Sequence, residues 1–183
     1  MPRFMGRSLA RAQALQLLFQ AEANGRSVDD VLYGNEYALE EGPLDDYGRD
    51  LALGADGMRH ELDAVIAMRS PSWSVSRMPA VDRNLLRMAL YEMISQDEVA
   101  IAVSIDECVE LAKAYGTDDS PRFVNGLLGR VADDLEAGID VVAAALENGY
   151  GDDDDAEDDA DDTEYEDDAE DDEFEDDDES DGE

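Results

Sequence analysis

The sequence predicts an all-α protein in two helical halves, followed by a disordered acidic tail. Three observations carry that prediction. Apolar residues recur three and four apart, as on one face of a helix. Start and stop signals fall where those stripes begin and end. No segment alternates convincingly enough for a strand; the best candidate, Val99-Ala-Ile-Ala-Val103, sits between two well-signalled helices.

Each element follows in order. Ser8 is placed to cap a first helix running to about Asn24, with Gly25 in the left-handed stop position. Ser27-Val-Asp-Asp30 opens a second, shorter helix with a carboxylate three residues after its cap. Pro43 and Asp45 precede a long helix to about Met68, with Leu44, Tyr47, Leu51, Ala55, Met58, Leu62 and Val65 on one stripe. Ser70-Pro71-Ser72 breaks the chain and divides it into an N-terminal half, 1–70, and a C-terminal half, 71–150.

A short helical piece then carries Trp73 and Arg77, and Pro79 opens a helix whose buried stripe is Leu86, Leu90 and Met93. Arg83 and Arg87 fall on its other face, either as a solvated surface or as a partner surface. Ser104 and Glu107 read as a capping box, with Gly116 ending that helix after Tyr115. Ser120-Pro121 starts the last long helix, lined by Phe123, Leu127, Val131 and Leu135. A weaker continuation runs from Ile139 to Leu146.

Charge is unevenly spread. The 183 residues carry 50 acidic and 13 basic side chains, a net charge of −37. Of these, 24 acidic residues and no Lys or Arg lie in the 33 residues 151–183, which leaves 26 against 13, or −13, for residues 1–150. The tail has too few apolar groups to offset its ordering entropy. Two roles stand for it: a solubilising tail, or an internal polyanion that competes for the N-terminal arginines. The single Cys108 excludes an intrachain disulfide, and no apolar run approaches the roughly 20 residues that span a bilayer. A cytoplasmic protein with no membrane association is expected.

Catalytic chemistry finds little to use. One histidine, His60, and one cysteine, Cys108, make neither a metal set nor a nucleophile–base pair. His60 reads as solvent-facing and Cys108 as a small buried hydrophobe. Gly126-Leu-Leu-Gly129 falls in a helical run without a basic residue between the glycines, and close helix packing explains it best. No catalytic residue, metal or cofactor is expected.

The arginines are few enough for their placement to matter. Arg3, Arg7 and Arg11 are spaced by four, with Glu22 the one acidic residue in the first 26. They form a positive patch suited to phosphate, or three solvated arginines. Arg122-Phe123 opens the last long helix, where unpaired N–H groups favour anions. Phe123 is placed either to stack on an unpaired base or to enter the core.

In combination, Asp82-Arg-Asn-Leu-Leu-Arg-Met-Ala-Leu-Tyr-Glu92, Ile105-Asp-Glu-Cys-Val-Glu-Leu-Ala-Lys113 and Phe123-Val-Asn-Gly126 resemble the NusB family. So do the Arg-rich start and Gln13-Ala-Leu-Gln-Leu-Leu-Phe19, and the resemblance covers roughly residues 3–137. It implies two small helical bundles side by side and no enzymatic activity. It also implies binding of the boxA element of nascent single-stranded RNA together with the ribosomal protein NusE, within an RNA polymerase antitermination complex, notably on ribosomal RNA operons. By position it assigns RNA contacts to Arg3, Arg7, Arg11, Arg122 and Phe123, and NusE contacts to Phe19, Asp82 and Asp119. Phe19 and Asp82 stand where tyrosine and glutamate are commoner, so a hydrogen bond between those positions cannot form in the same way. Two alternatives stand beside this reading. One is the NusB-like domain of a ribosomal RNA cytosine methyltransferase without its catalytic part; the other is an acidic protein-interaction adaptor.

Overall fold

The structure, a computed structural model, describes residues 4–150; Arg3 and the acidic segment expected to be disordered lie outside the described residues. Within them the chain forms eight α-helices and no strand. They are α1 (Gly6–Ala23), α2 (Val28–Tyr33), α3 (Asp46–Gly57), α4 (Arg59–Arg69), α5 (Ala80–Ser95), α6 (Ile101–Tyr115), α7 (Ser120–Glu136) and α8 (Val141–Glu147). A single 3-10 turn, Val75–Arg77, precedes α5. None of these helices is long and apolar enough to cross a membrane.

Local rules placed most boundaries. Ser27 accepts the Asp30 N–H, Asp45 the Tyr47 N–H and Asp140 the Ala143 N–H, so three helices start on side-chain caps. Gly25 adopts φ +61° just past the end of α1, which relieves the steric penalty any Cβ would meet. At Gly116 an added Cβ would lie 2.5 Å from the Ser120 Cβ, so glycine permits the tight α6–α7 turn.

Four expectations need correction. Helix α1 begins at Gly6, before Ser8, with extended Met5 at its cap and no side-chain bond there. Phe4 stacks on Tyr115 with ring centroids 6.2 Å apart, and that packing outweighs the roughly 1 kcal/mol of a hydroxyl cap. Helix α6 likewise starts at Ile101 rather than at a Ser104 capping box, and it takes in the last three residues of the candidate strand. Ser104 is buried inside it and its hydroxyl has no hydrogen-bond partner.

The predicted long middle helix is two helices that meet at Met58 (φ −106°, ψ 21°). Helix α3 packs on α1 and α5, whereas α4 packs chiefly on α8 and α5, so the bend lets consecutive segments bury different faces. Gly54 makes the α3–α5 approach possible: a Cβ there would sit 1.9 Å from the Tyr91 ring.

Helix α5 is the fourth correction. It contacts α1, α3, α4, α6 and α7 and is buried along most of its length. Alongside Leu85, Leu86, Met88 and Leu90 it buries Asp82, Asn84, Arg87 and Glu92. One connected hydrophobic core runs through the described residues on both sides of the Ser70–Ser72 break.

Candidate nucleic-acid interface

The positive start of α1 divides into one surface arginine and one interior arginine. Arg7 is exposed, with its guanidinium 4.9 Å from the Tyr47 ring centre and 4.0 Å from Glu98. Arg11 shares its helix face, as the four-residue spacing predicts, but is only 3% exposed. Its Nε donates to both Glu92 carboxylate oxygens at 2.9 and 3.1 Å, and Glu107 lies 3.5 Å from Nη1. Tyr47 donates its hydroxyl proton to the same Glu92. Burial, then the Glu92 carboxylate, pushes the Tyr47 hydroxyl up to about 12, so it stays a donor throughout the physiological range. Arg11 is thus already satisfied by carboxylates and anchors the base of the patch.

The second patch gathers around α7. Arg122 is exposed, while Phe123 is half-buried against Trp73, ring centroids 5.0 Å apart and tilted by 60°. Both sequence readings of Phe123 apply to different sides of one ring. One side packs on Trp73; the ring also borders a surface groove of about 600 Å³ with Met68, Arg69, Pro71 and Arg130. Gly126 and Gly129 overturn the helix-packing expectation, because nothing lies within 4 Å of a Cβ built on either. They leave the outer face of α7 open.

Phe19 is 41% exposed and lines an apolar groove of about 280 Å³ with Leu15, Val81 and Tyr115. Asp119 is exposed at the cap of α7. Asp82, next to Val81, is 2% exposed and cannot touch a partner directly. Burial raises its carboxyl above the usual range, opposed by a hydrogen bond from Ser120, and its Oδ1 has no hydrogen-bond partner. Asp82 therefore ties the start of α5 to the start of α7 beneath the groove.

A buried ionic network was missed from sequence. Arg87 donates to both Asp63 oxygens at 2.7 Å and to Glu22 at 2.6 Å; Arg83 and Asn84 also reach Glu22. Arg83 further donates to the carbonyls of Val75 and Met78 at 2.9 Å, stitching the 3-10 turn to α5. Burial alone would raise the Glu22 carboxyl, but Arg83 and Arg87 hold it below its usual range. The solvated or partner-facing role expected for Arg83 and Arg87 is replaced by an interior one. The i,i+4 arginine spacing was a visible signal, but partners as far as 65 residues away in sequence were not.

Cys108 is buried, its thiol pushed up by burial and set 3.7 Å from the Leu85 carbonyl oxygen, while His60 is exposed. No group of three or more His, Cys, Asp or Glu able to hold a metal occurs among the described residues.

The described residues thus form an all-helical scaffold with an apolar groove beside Phe19 and an aromatic, arginine-lined groove beside Phe123. The chain belongs to the NusB family, whose model matches residues 8–133. It is 42% identical over 127 residues to the transcription antitermination protein NusB of Saccharopolyspora erythraea, covering 69% of this chain and 86% of that one. With the NusB of Salinispora arenicola it shares 45% over 129 residues, 69% of this chain and 95% of the relative. Among solved structures it is similar to T. maritima NusB, at 33% identity and TM-score 0.61 over 71% of this chain and 92% of that one. It also resembles a chain in the crystal structure of the antitermination factors NusB and NusE in complex with dsRNA, at 25% identity and TM-score 0.57, covering 68% and 94%.

Proposed function

We propose that this chain is an RNA-binding transcription antitermination factor. On this reading it takes boxA-type single-stranded RNA together with NusE and helps RNA polymerase read through terminators, notably in ribosomal RNA operons. The observation that carries the reading is family membership over residues 8–133, reinforced by a relative solved with NusE and RNA. The side chains support a division of labour. Arg7, Arg122 and Phe123 are accessible to RNA, with Arg3 assigned to the same role by position. Arg11 holds the platform on which Arg7 and Tyr47 sit, without itself meeting phosphate. The Phe19 groove receives NusE, Asp119 flanks it, and Asp82 acts from beneath by fixing the α5 start.

The test is fluorescence anisotropy of a boxA-like single-stranded RNA at two salt concentrations, with and without NusE from the same source, against a scrambled RNA. Sequence-selective binding strengthened by NusE is the expected result, and Phe19→Ala should remove the NusE-dependent gain alone. Absence of selectivity under both conditions would overturn the reading in favour of an acidic protein-interaction adaptor, consistent with a net charge of −13 over residues 1–150.

A further inference from the structure

Residues 151–183 hold more than charge. Their two large apolar side chains sit in the same frame, Glu164-Tyr165-Glu-Asp-Asp168 and Glu173-Phe174-Glu-Asp-Asp177, nine residues apart. Solubility needs carboxylates, but it does not need an aromatic ring repeated within an identical acidic setting. The pattern describes a ligand, one ring framed by carboxylates, offered twice.

The described residues present a receptor of matching chemistry. Most basic side chains are neutralised by a nearby carboxylate, as Arg59, Arg83 and Lys113 are. The amino-terminal arginines are no exception: Arg11 is buried on Glu92, and Arg7 lies 4.0 Å from Glu98. Among the described residues, exposed Arg49, Arg77, Arg122 and Arg130 have no carboxylate partner. Three of these lie on the segments that carry Trp73 and Phe123. Arg77 follows Trp73 by four positions, Arg122 precedes Phe123, and Arg130 lines the groove of about 600 Å³ beside both rings.

The groove is built before anything enters it. The Trp73 N–H donates to the Ser70 carbonyl at 3.1 Å, and the Ser70 hydroxyl donates to the Trp73 carbonyl at 3.2 Å. Across the groove, Arg130 donates to the Arg69 carbonyl at 3.0 Å, and Arg69 pairs with Asp134. Met68 and Pro71 add apolar wall. Helix α8, the last element before the acidic segment, packs on α4, which ends with Met68 and Arg69 at this groove. Tyr165 and Phe174 follow Tyr150 by 15 and 24 residues, about 50 and about 80 Å of extended chain. A domain of this size has a radius of gyration of about 15 Å, so both motifs reach. Tethering holds them at roughly millimolar effective concentration, which lets individually weak exposed ion pairs act together.

We propose that the Trp73 groove is a docking site for the chain's own acidic segment. The segment seats Tyr165 or Phe174 against the Trp73–Phe123 pair and lays the flanking carboxylates on Arg130, Arg77 and Arg122. Docking itself is independent of RNA. Its consequence, that the segment covers this face until RNA displaces it, rests on the RNA-binding reading.

Trp73 is the one tryptophan of the chain, and Cys108, its one cysteine, is buried with its thiol pushed up. A nitroxide attached through Ala169→Cys, between the two motifs, therefore labels the segment alone in the full-length protein. Its short-range quenching of Trp73 emission reads docking, with the chemically reduced label as control. At low salt the nitroxide is expected to lower emission about twofold at every protein concentration, as a tethered ligand does. The effect should vanish near 1 M salt, where the Debye length is about 3 Å. It should fall by about half or more in Arg130→Glu, an exposed change, and in the charge-neutral double variant Tyr165→Ser with Phe174→Ser. A boxA-like single-stranded RNA should restore the emission.

Equal emission with the oxidised and reduced label at low salt would overturn the docking. Quenching that survives both variants unchanged would overturn the groove as its place. Quenching that grows with protein concentration would overturn the intramolecular assignment in favour of a second copy. RNA that binds without relieving the quench would overturn the competition alone, because docking is read before RNA is added. No RNA binding by anisotropy would remove the RNA reading and leave the docking standing.

Discussion

Arg11 and Glu92, 81 residues apart in sequence, meet through two hydrogen bonds inside the protein, with side-chain exposures of 4% and 2%. Tyr47 closes the arrangement by donating to the same carboxylate while its ring lies 5.8 Å from the Arg11 guanidinium. An arginine that composition and spacing mark as a phosphate ligand is therefore a structural counter-ion, and its neighbour one turn earlier is the surface group.

This separation predicts opposite phenotypes for two similar substitutions. Arg11→Ala strands Glu92 in the interior and should cost about 3–5 kcal/mol of stability. Arg7→Ala should change stability by less than about 0.5 kcal/mol yet weaken RNA binding and lower its salt slope by about 1. Urea unfolding and RNA titrations at several salt concentrations measure both. A fully stable Arg11→Ala protein with weakened RNA binding would place Arg11 on the phosphate after all.

The Glu22 network predicts an acid limit. The Glu22 carboxyl titrates below its ordinary 4.5 in the fold, so its pairing with Arg83 and Arg87 contributes fully above about that pH. The contribution is lost as pH falls through the depressed folded value. Glu22→Gln should cost about 2–4 kcal/mol near neutral pH, and the difference from the parent protein should narrow on acidification. Denaturation curves between pH 7 and pH 3 test this; a gap that stays constant would separate Glu22 from the acid response.

Asp82 carries the opposite sign. Burial raises its carboxyl above the ordinary 3.8, which means that holding it ionised costs stability. Asp82→Asn keeps an acceptor for the Ser120 hydroxyl and should stabilise the protein by about 1 kcal/mol at pH 7. That gain should shrink as pH falls through the raised folded value, since protonation then discharges Asp82 itself. A loss of stability at neutral pH would mean that the attraction of the α5 amino end for a carboxylate outweighs desolvation.

Residues 151–183, with 24 carboxylates in 33 residues, predict a salt-dependent effect of truncation. If they compete with RNA for the few surface arginines, ending the chain at Tyr150 should tighten RNA binding most at low ionic strength, where screening is weakest. Anisotropy at about 50 and about 300 mM salt reads it, since the Debye length shortens as the inverse square root of ionic strength. Equal affinities of the full and truncated chains at both salts would leave the segment a solubilising role only.

Periodicity, caps and breakers act within about four residues, and what depends on them was legible in the sequence. The all-α class, the caps at Ser27 and Asp45, the stops at Gly25 and Gly116 and the break at Ser70–Ser72 all follow from neighbours in the chain. The motifs from Asp82 to Gly126 were specific enough to indicate the family. Where sequence rules missed, a local preference worth about 1 kcal/mol competed with burial worth more. Ser8 and Ser104 ended up inside helices because Phe4 and Ile101 had core to reach.

The tertiary structure alone decided which charges face water. Nothing within reach of Arg7 and Arg11 in sequence tells them apart, nor marks Arg87 as interior and Arg122 as exposed. Those fates depend on where α3, α4 and α5 bring Tyr47, Asp63 and Glu92, side chains contributed from distant points of the chain. Sequence determined the elements, because their energetics are short-ranged. Packing determined the site, because desolvation and ion pairing depend on neighbours that only the folded chain assembles.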